Sequence, residues 1–188
     1  MRRSCSTAGD TGVRTVLHDL VVMRGIPYTL PMIAPVIRSG RPGDTAAVVA
    51  LLHETFEDTW RPELTPSAIA AYYGDRVAER FVEERVRTFL VADAGGEVAG
   101  MISREGGFID ALHVGARYRR RGIGRALVEA AEVAMRADGV PCAVLETDTF
   151  NRASQALYEA LGYRETSRYQ DTEWNSGLTT IRYEKALA

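Results

Sequence analysis

Lysine is almost absent from this chain of 188 residues, in which Lys185 is the single lysine among 23 basic residues. We attribute this imbalance to the base composition of the source genome rather than to function. Arginine still matters locally, because its planar guanidinium binds a phosphate group through two parallel hydrogen bonds and lysine does not. The formal net charge is only -2, which argues against a general nucleic-acid binder, since such proteins are usually more basic.

Cysteine and long apolar runs are also scarce. Cys5 and Cys142 are too few for a disulfide framework or a four-ligand zinc site, so we expect free thiols, a reducing cytoplasm and no metal. No apolar run approaches the roughly 20 residues that span a bilayer, so we expect no membrane partner. With 46% apolar and 26% charged residues, the chain has the composition of an ordinary globular domain.

The first 35 residues differ from the rest. Arg2 and Arg3 resemble the start of a secretory signal, but polar residues follow at once and no apolar core of a signal develops. Gly25 and three prolines then interrupt any regular period. We therefore predict that residues 1–35 form a poorly ordered N-terminal extension and that one domain occupies residues 36–188.

From residue 36 onward the hydrophobic period switches between that of strands and that of helices. Strands are predicted at Val36–Arg38, Thr88–Asp93, Glu97–Ser103, Phe108–Val114, Ala143–Thr147, Tyr163–Tyr169 and Leu178–Tyr183, the last two around a turn at Asn175-Ser176-Gly177. Helices are predicted over Val48–Phe56, after Thr65, from Val77, from Ile123 to Gly139 and over Ser154–Leu161. This order predicts a mixed α/β (α+β) domain whose central sheet is largely antiparallel and flanked by helices.

The strongest local signal is the segment Tyr118–Arg125, which connects a predicted strand to the longest predicted helix. Its glycines allow backbone N–H groups to approach a ligand closely. The helix start adds unpaired N–H donors and the positive end of the helix dipole. Five arginines add full positive charges: Arg117, Arg119, Arg120, Arg121 and Arg125. Together these features predict a phosphate-binding turn.

Other phosphate motifs fit this turn less well. A P-loop would need Gly-Lys-Ser/Thr, which does not follow, and a dinucleotide fingerprint would need a glycine where Leu127 stands. A nucleic-acid patch would need more than this one short basic stretch. One alternative stays open: the segment is an ordinary, solvent-exposed helix start that is rich in arginine and binds no ligand.

A second segment, Asn151–Tyr163, follows one predicted strand later, and with it the chain resembles the GNAT N-acetyltransferase superfamily. The family pattern Arg/Gln-x-x-Gly-x-Gly/Ala is met by Arg119, Gly122 and Gly124. The later family pattern is met by Asn151, Ala153, Leu157-Tyr158 and Gly162-Tyr163. Both patterns occur in the family's order, and the resemblance covers roughly Val36 to Lys185.

The resemblance implies a GNAT-like fold and an enzyme that transfers the acetyl group of acetyl-CoA, its co-substrate, to a primary amine of a small molecule or protein. It implies a co-substrate site made of Leu112, His113, Val114, Arg119, Arg120, Arg121, Gly122, Ile123, Gly124, Arg125 and Asn151. Backbone N–H groups of Arg120–Arg125 would hold the pyrophosphate, and the strand around His113 would pair with the pantetheine arm. A backbone N–H near Val114 would stabilise the oxyanion of the tetrahedral intermediate.

By the same resemblance, Tyr158 has the general-acid position and would stabilise the leaving thiolate. The base is less well defined. Asp110 is the first candidate, because strand alternation puts it on the face opposite Ile109 and Ala111, where an aspartate inside a domain needs a partner or a role. Other candidates are Glu54, Glu57, Asp58, His113, Glu146 and Asp148.

The sequence does not identify the acceptor. In the family, the segment after the first helix lines the acceptor site, and here that segment is Glu54–Trp60. Its acidic residues would suit a cationic amine, and Trp60 would supply an apolar or cation–π wall. Alternative functions stay open: a transferase for another acyl-CoA or acceptor atom, or a non-catalytic CoA-binding module. A homodimer is left open as well.

Overall fold

The computed structural model of the chain describes residues 35–171 and 176–187. The predicted N-terminal extension therefore lies outside the described residues, apart from Pro35, and so does Asn175 of the last predicted turn. In the described part of the chain, no helix is both long enough and apolar enough to cross a membrane.

Seven strands form one sheet in the described residues, in the order β1-β2-β3-β4-β5-β7-β6. They are β1 (Val36–Ser39), β2 (Leu90–Asp93), β3 (Val98–Glu105), β4 (Phe108–Val114), β5 (Cys142–Asp148), β6 (Arg164–Gln170) and β7 (Thr179–Ala186). Every neighbouring pair is antiparallel except β4 and β5, which run parallel. The predicted fold class, a mixed α/β domain with a largely antiparallel sheet, is confirmed.

Five α-helices accompany the sheet within the described ranges: α1 (Thr45–Thr55), α2 (Pro66–Gly74), α3 (Val77–Arg85), α4 (Ile123–Ala137) and α5 (Arg152–Ala160). α1 continues into one π turn, Phe56–Trp60. Sequence signals set several helix ends. The Thr65 hydroxyl accepts a hydrogen bond from the Ala68 N–H at 3.3 Å and so caps α2. Gly139 follows α4 with a left-handed φ of 75°.

Helices cover both faces of the sheet, because strand residues alternate between two apolar clusters. α4 and α5 pack on one face, where Ile102 and Leu145 are buried. α1 and α3 pack on the other face, against Val91 and Met101. A fully buried side chain of this size contributes about 1.5–3 kcal/mol relative to its exposed state. The central strands are therefore held from both sides.

A bulge in β4 takes Asp110 out of the strand alternation. Arg104 of β3 pairs with Ile109 and the preceding Ser103 pairs with Ala111, so Asp110 is an extra residue on β4. Ile109 consequently packs in the cluster of α4, and Ala111 in the cluster of α1 and α3. The prediction that Ile109 and Ala111 share one face is wrong, because it assumed uninterrupted alternation across this bulge.

The single lysine of the chain forms an ion pair between α4 and β7. Lys185 Nζ lies 2.8 and 2.7 Å from the two carboxylate oxygens of Glu132. The Glu132 side chain is only 3% exposed and also lies 3.3 Å from Arg136. Because a buried charge is costly without a partner, Glu132 depends on these two cations.

Candidate active site

The parallel strands β4 and β5 separate after a short paired stretch. Ile109 and Leu145 are their last paired residues, yet β4 continues to Val114 and β5 to Asp148. The two strand ends therefore border an opening in the middle of the sheet. A strand edge without a partner strand leaves its backbone N–H and C=O groups available to a ligand.

Backbone groups of β4 point into this opening. The Gly115 N–H donates to the Ala99 carbonyl of β3 at 3.0 Å. Because successive N–H groups of an extended strand point to opposite edges, those of Val114 and Leu112 face the opening. The Val114 carbonyl on the same edge accepts a hydrogen bond from Arg119 Nε at 3.1 Å. An extended ligand can thus pair with β4 as a further strand would.

The turn before α4 places a helix N-terminus beside the end of β4. Gly122 has a left-handed φ of 80° and precedes α4 without a side-chain cap, so the first N–H groups of the helix lack a capping acceptor. Arg120 is also left-handed, with φ of 61°. Such left-handed residues turn neighbouring N–H groups toward one point. The turn therefore has a backbone geometry suited to an anion.

Four of the five arginines of this turn have protein partners of their own. Three of them form ion pairs at the surface: Arg117 with Glu97, Arg119 with Asp58 and Arg125 with Glu129. Arg121 lies over the Tyr118 ring, 5.9 Å from its centre. Exposed ion pairs contribute only about 0–1 kcal/mol, so a phosphate group can replace the carboxylates at little cost.

Gly124 has a packing role in addition to the expected close approach of a ligand. A Cβ atom at this position would lie 3.2 Å from Leu157 Cδ2 and 3.8 Å from Val114 Cγ2. The start of α4 is thus in close contact with α5 and β4. A side chain at this position would point toward those elements.

The opening between the strands leads into a cleft of about 800 Å³. β4 and β5 line one side, and the end of α1, the π turn, α2 and α3 line the other. Residues that the sequence singled out for the site line this cleft: Trp60, Asp110, Leu112, His113, Glu146, Asp148, Asn151 and Tyr158. Residues far apart in the chain are thereby brought to one place.

Tyr158 lies at the closed end of the opening. Its side chain is buried, with ring centres 6.0 Å from Tyr163 and 6.1 Å from Tyr183. Tyr183 pairs with Leu145, the residue at which the strands separate. Burial raises the pKa of the Tyr158 hydroxyl well above its ordinary value, because the charged phenolate is poorly solvated. The hydroxyl is therefore protonated at neutral pH and can donate a hydrogen bond.

Asp110 has an arginine partner that the sequence did not reveal. Its Oδ2 pairs with Arg85 at the end of α3, and its Oδ1 is buried with no hydrogen-bond partner among the described residues. The guanidinium of Arg85 thus compensates the charge of this carboxylate. The contact depends on the bulge in β4, which no local sequence pattern marks.

His113 is held by Thr55 of α1. Its Nδ1 lies 2.7 Å from the hydroxyl oxygen, which itself lies 3.0 Å from the Leu51 carbonyl oxygen. Both contacts are hydrogen bonds when the hydroxyl donates to the carbonyl and Nδ1–H donates to the hydroxyl, which leaves Nε2 as an acceptor. Burial, with a smaller effect of Arg119, lowers the pKa of His113 to about 4, so the ring is neutral at neutral pH.

Trp60 connects the helical side of the cleft with β5. Its Nε1 donates to Asp148 Oδ2 at 3.1 Å, and its ring centre lies 5.7 Å from that of His113 on β4. Burial raises the pKa of Asp148, and the nearby Asp171 raises it further, against the lowering effect of the Trp60 hydrogen bond. A half-buried carboxylate with a raised pKa in a cleft is a typical functional-site feature.

Two amides fix the turn between β5 and α5. Asn151 Oδ1 accepts a hydrogen bond from the Ser154 N–H at 3.2 Å and caps α5. Gln155 Nε2 donates to the carbonyl oxygens of Asp148 and Thr149, both at 3.0 Å. This role of Gln155 has no local sequence signal, because the residue lies inside an ordinary helical pattern.

The acidic residues of the predicted acceptor segment point elsewhere. Each has a partner outside the cleft: the Ala116 N–H for Glu54, Arg61 for Glu57 and Arg119 for Asp58. Phe56 and Trp60 of the same segment do line the cleft. The contribution of this segment is therefore aromatic rather than acidic.

No group of three or more histidine, cysteine, aspartate or glutamate side chains within residues 35–171 and 176–187 is arranged to hold a metal ion. Cys142 is a free thiol.

A family model described as "Acetyltransferase (GNAT) family" matches residues 46–163, which is more than half of the chain. The chain belongs to this family. The match begins in α1 and ends after α5, so it includes β4, the turn before α4, β5 and Tyr158.

The chain is also similar to individual members of this family. The chain is 31% identical over 104 residues to the probable N-acetyltransferase family 8 member 5 of Mus musculus, a match that covers 50% of this chain and 46% of that protein. The chain thus spans about half the length of this relative.

Solved structures of the family share the fold. A GCN5-related N-acetyltransferase from Rhodopseudomonas palustris has a TM-score of 0.70 at 22% identity, covering 82% of this chain and 97% of that one. The PaiA N-acetyltransferase from Thermoplasma acidophilum, solved in complex with coenzyme A, has a TM-score of 0.67 at 18% identity, covering 81% and 100%.

Proposed function

We propose that this chain is an acetyl-CoA-dependent N-acetyltransferase that transfers the acetyl group directly to a primary amine. The observation that carries the proposal is the opening between β4 and β5, which leads from an uncapped helix N-terminus to a buried tyrosine hydroxyl. This geometry suits a long ligand with an anionic head and a reactive far end. The family match and the fold shared with a CoA-bound acetyltransferase support an acyl-CoA as that ligand.

The turn before α4 is the proposed pyrophosphate site. The N–H groups that follow Gly122, with the positive end of the α4 dipole, would bind the phosphate oxygens. Arg119 and Arg125 would exchange their carboxylate partners for phosphate. Asn151 caps α5 with its oxygen, which leaves its amide N–H groups for the co-substrate arm.

The strand edge of β4 is the proposed site of the pantetheine arm, with the Val114 N–H as one donor. The pantetheine arm has about 14 covalent bonds between its phosphate and its sulfur atom. Each residue of a strand contributes three backbone bonds, so the extended arm is about as long as four to five strand residues. Because the proposed phosphate site lies at the turn beyond Val114, the arm passes Val114 and its sulfur end lies deeper along β4. The Leu112 N–H, which faces the opening two residues deeper than Val114, is the proposed oxyanion donor.

Tyr158 is the proposed proton donor to the leaving group. The amine nitrogen attacks the thioester carbonyl carbon, and the tetrahedral intermediate collapses with cleavage of the C–S bond. The thiolate is the conjugate base of a thiol with a pKa of about 8.5, so a hydrogen bond from the hydroxyl stabilises the charge as it develops. Because burial keeps Tyr158 protonated, the donor is present over the whole neutral range.

The test is thiol release from acetyl-CoA in the presence of separate primary amines: methylamine, spermidine, free lysine and a peptide with a free amino terminus. We expect release that requires both substrates, together with a product that has gained one acetyl group by mass spectrometry. Acetyl-CoA binding without amine-dependent release would contradict the proposal and indicate a non-catalytic CoA-binding module.

A further inference from the structure

Three carboxylates line the cleft from the neighbouring strands β4 and β5: Asp110, Glu146 and Asp148. They differ in their partners. Asp110 pairs with Arg85, and Glu146 lies 3.3 Å from Arg182. Asp148 alone of the three pairs with no arginine or lysine in the part of the chain that the structure describes.

Neutral donors hold Asp148 in place. The Trp60 indole donates to Oδ2 at 3.1 Å, and the Thr180 hydroxyl of β7 is a second hydrogen-bond partner. Neutral donors orient a carboxylate without cancelling its charge. Asp148 therefore keeps an uncompensated negative charge in a half-buried site, a costly arrangement unless a cation arrives there.

Asp148 also lies at about the same distance into the opening as the proposed oxyanion donor, Leu112. It is three residues beyond Leu145, or about 10 Å along β5 from the point where the strands separate. Leu112 is three residues beyond Ile109 on β4, with the bulge at Asp110 between them. The proposed oxyanion donor and the carboxylate of Asp148 are therefore at a similar level on the two sides of the opening.

We propose that Asp148 receives the ammonium group of the acceptor beside the Trp60 ring and accepts the proton that this group loses before attack. The assignment rests on the proposed function and identifies the acceptor as a primary ammonium ion. The aromatic ring adds a cation–π contact to the charge of the carboxylate. The carboxylates of Asp110 and Glu146 each pair with an arginine, so their charges are already compensated and attract an ammonium group less strongly.

The proton balance of this step is complete. The ammonium nitrogen gives one proton to the Asp148 carboxylate, and the freed electron pair forms the N–C bond. The C–S bonding pair leaves with sulfur, which takes the proton of Tyr158. The new amide nitrogen loses its second proton to water. Tyr158 then recovers a proton from the Asp148 carboxylic acid through water, so one proton is released per turnover.

Other charged and titratable groups line the same cleft as Asp148. They are Asp171 after β6, Tyr169 on β6, Glu146 on β5, which pairs with Arg182 of β7, and Asp110 and His113 on β4. Burial and Asp171 both raise the pKa of Asp148. The acidic limb of the pH–rate profile should therefore have its midpoint above the pKa of an ordinary aspartate. The titration of Asp148 alone should determine that midpoint.

The experiment measures kcat/KM for a primary amine from about pH 5 to pH 9, the range in which a general base is titrated. Asp148→Asn should lower kcat/KM about 100-fold, raise KM for the amine, remove the acidic limb, and leave acetyl-CoA affinity unchanged in calorimetry. Glu184→Gln is the matched control. It removes a carboxylate that pairs with Arg182 on β7, and its profile should equal that of the wild type.

A second variant tests the positioning role of Trp60. Trp60→Phe keeps an aromatic ring and removes the N–H donor to the charged carboxylate, so the acidic limb should move to higher pH. The proposal would be overturned if Asp148→Asn kept the acidic limb of the profile. It would also be overturned if Asp110→Asn or Glu146→Gln removed that limb while Asp148→Asn did not. A wild-type chain that binds acetyl-CoA but shows no amine-dependent thiol release would overturn the proposed function, and this assignment with it.

Discussion

His113 and Thr55 lie 2.7 Å apart, and this contact between Nδ1 and the hydroxyl oxygen joins β4 to the end of α1. The ring is neutral in the folded chain at neutral pH. Protonation would place a second positive charge near Arg119 in a poorly solvated site, which is why the pKa of His113 falls to about 4.

We expect the stability contribution of His113 to disappear in acid. In the unfolded chain its pKa returns to about 6.5, so the unfolded state binds the proton first. The contribution of neutral His113 to the free energy of unfolding is fully present above pH 6.5 and is lost as the pH falls to about 4. The total loss is up to about 3 kcal/mol. Urea unfolding of the wild type and of His113→Gln at several pH values checks this, since the variant should lose less stability over that window. Equal losses would contradict the prediction.

Tyr158→Phe should lower kcat without changing acetyl-CoA affinity. The ring stays packed between Tyr163 and Tyr183, and the lost hydroxyl acts only as the C–S bond breaks. We expect about a 100-fold loss, the low end for general acid help, because a CoA thiolate leaves fairly well unaided. Single-turnover rates should be measured, since slow product release can mask part of the effect.

Tyr183→Phe is the matched control for that variant. It removes the hydroxyl that donates to Glu159 at 3.2 Å and leaves the cleft unchanged. Its single-turnover rate should equal that of the wild type. Full activity of Tyr158→Phe with a good acceptor would show that the tyrosine hydroxyl is not the proton donor.

Lys185→Met should destabilise the fold by about 3–5 kcal/mol, because it leaves the buried Glu132 carboxylate with Arg136 as its remaining ion-pair partner. Guanidinium unfolding measures the effect. Arg168→Ala breaks the exposed pair with Glu165 and should cost no more than about 1 kcal/mol. A loss below about 1 kcal/mol in Lys185→Met would mean that Glu132 is satisfied without its lysine.

Local chemistry explains which features the sequence could predict. The glycines of the turn, the Thr65 cap and the Asn151 cap act within a few residues, so their patterns are readable in order along the chain. The fold class followed from the same periodic signals. Asp110 was expected to have either a partner or a catalytic role, and its partner, Arg85, could not be identified from the sequence.

The remaining features of the site depend on contacts between distant residues. Trp60 and Asp148 are 88 positions apart, and Thr55 and His113 are 58 apart. The bulge in β4 depends on pairing with β3, since neither strand alone contains an insertion signal. These contacts distinguish one candidate base from another, and they exist only in the assembled sheet. For this reason the sequence alone did not identify the general base.

The ion pair of Lys185 has a consequence for self-modification. A lysine reacts as a nucleophile only when its amine is free and unprotonated, whereas this Nζ is held by both oxygens of a buried carboxylate and its side chain is 21% exposed. The chain has no other lysine. For the proposed transfer to an amine, the folded chain therefore offers no readily available lysine amine as a competing acceptor. Acetyl-lysine found in a reaction mixture should accordingly come from the added acceptor, and amine-directed cross-linkers should leave the folded side chains unlabelled.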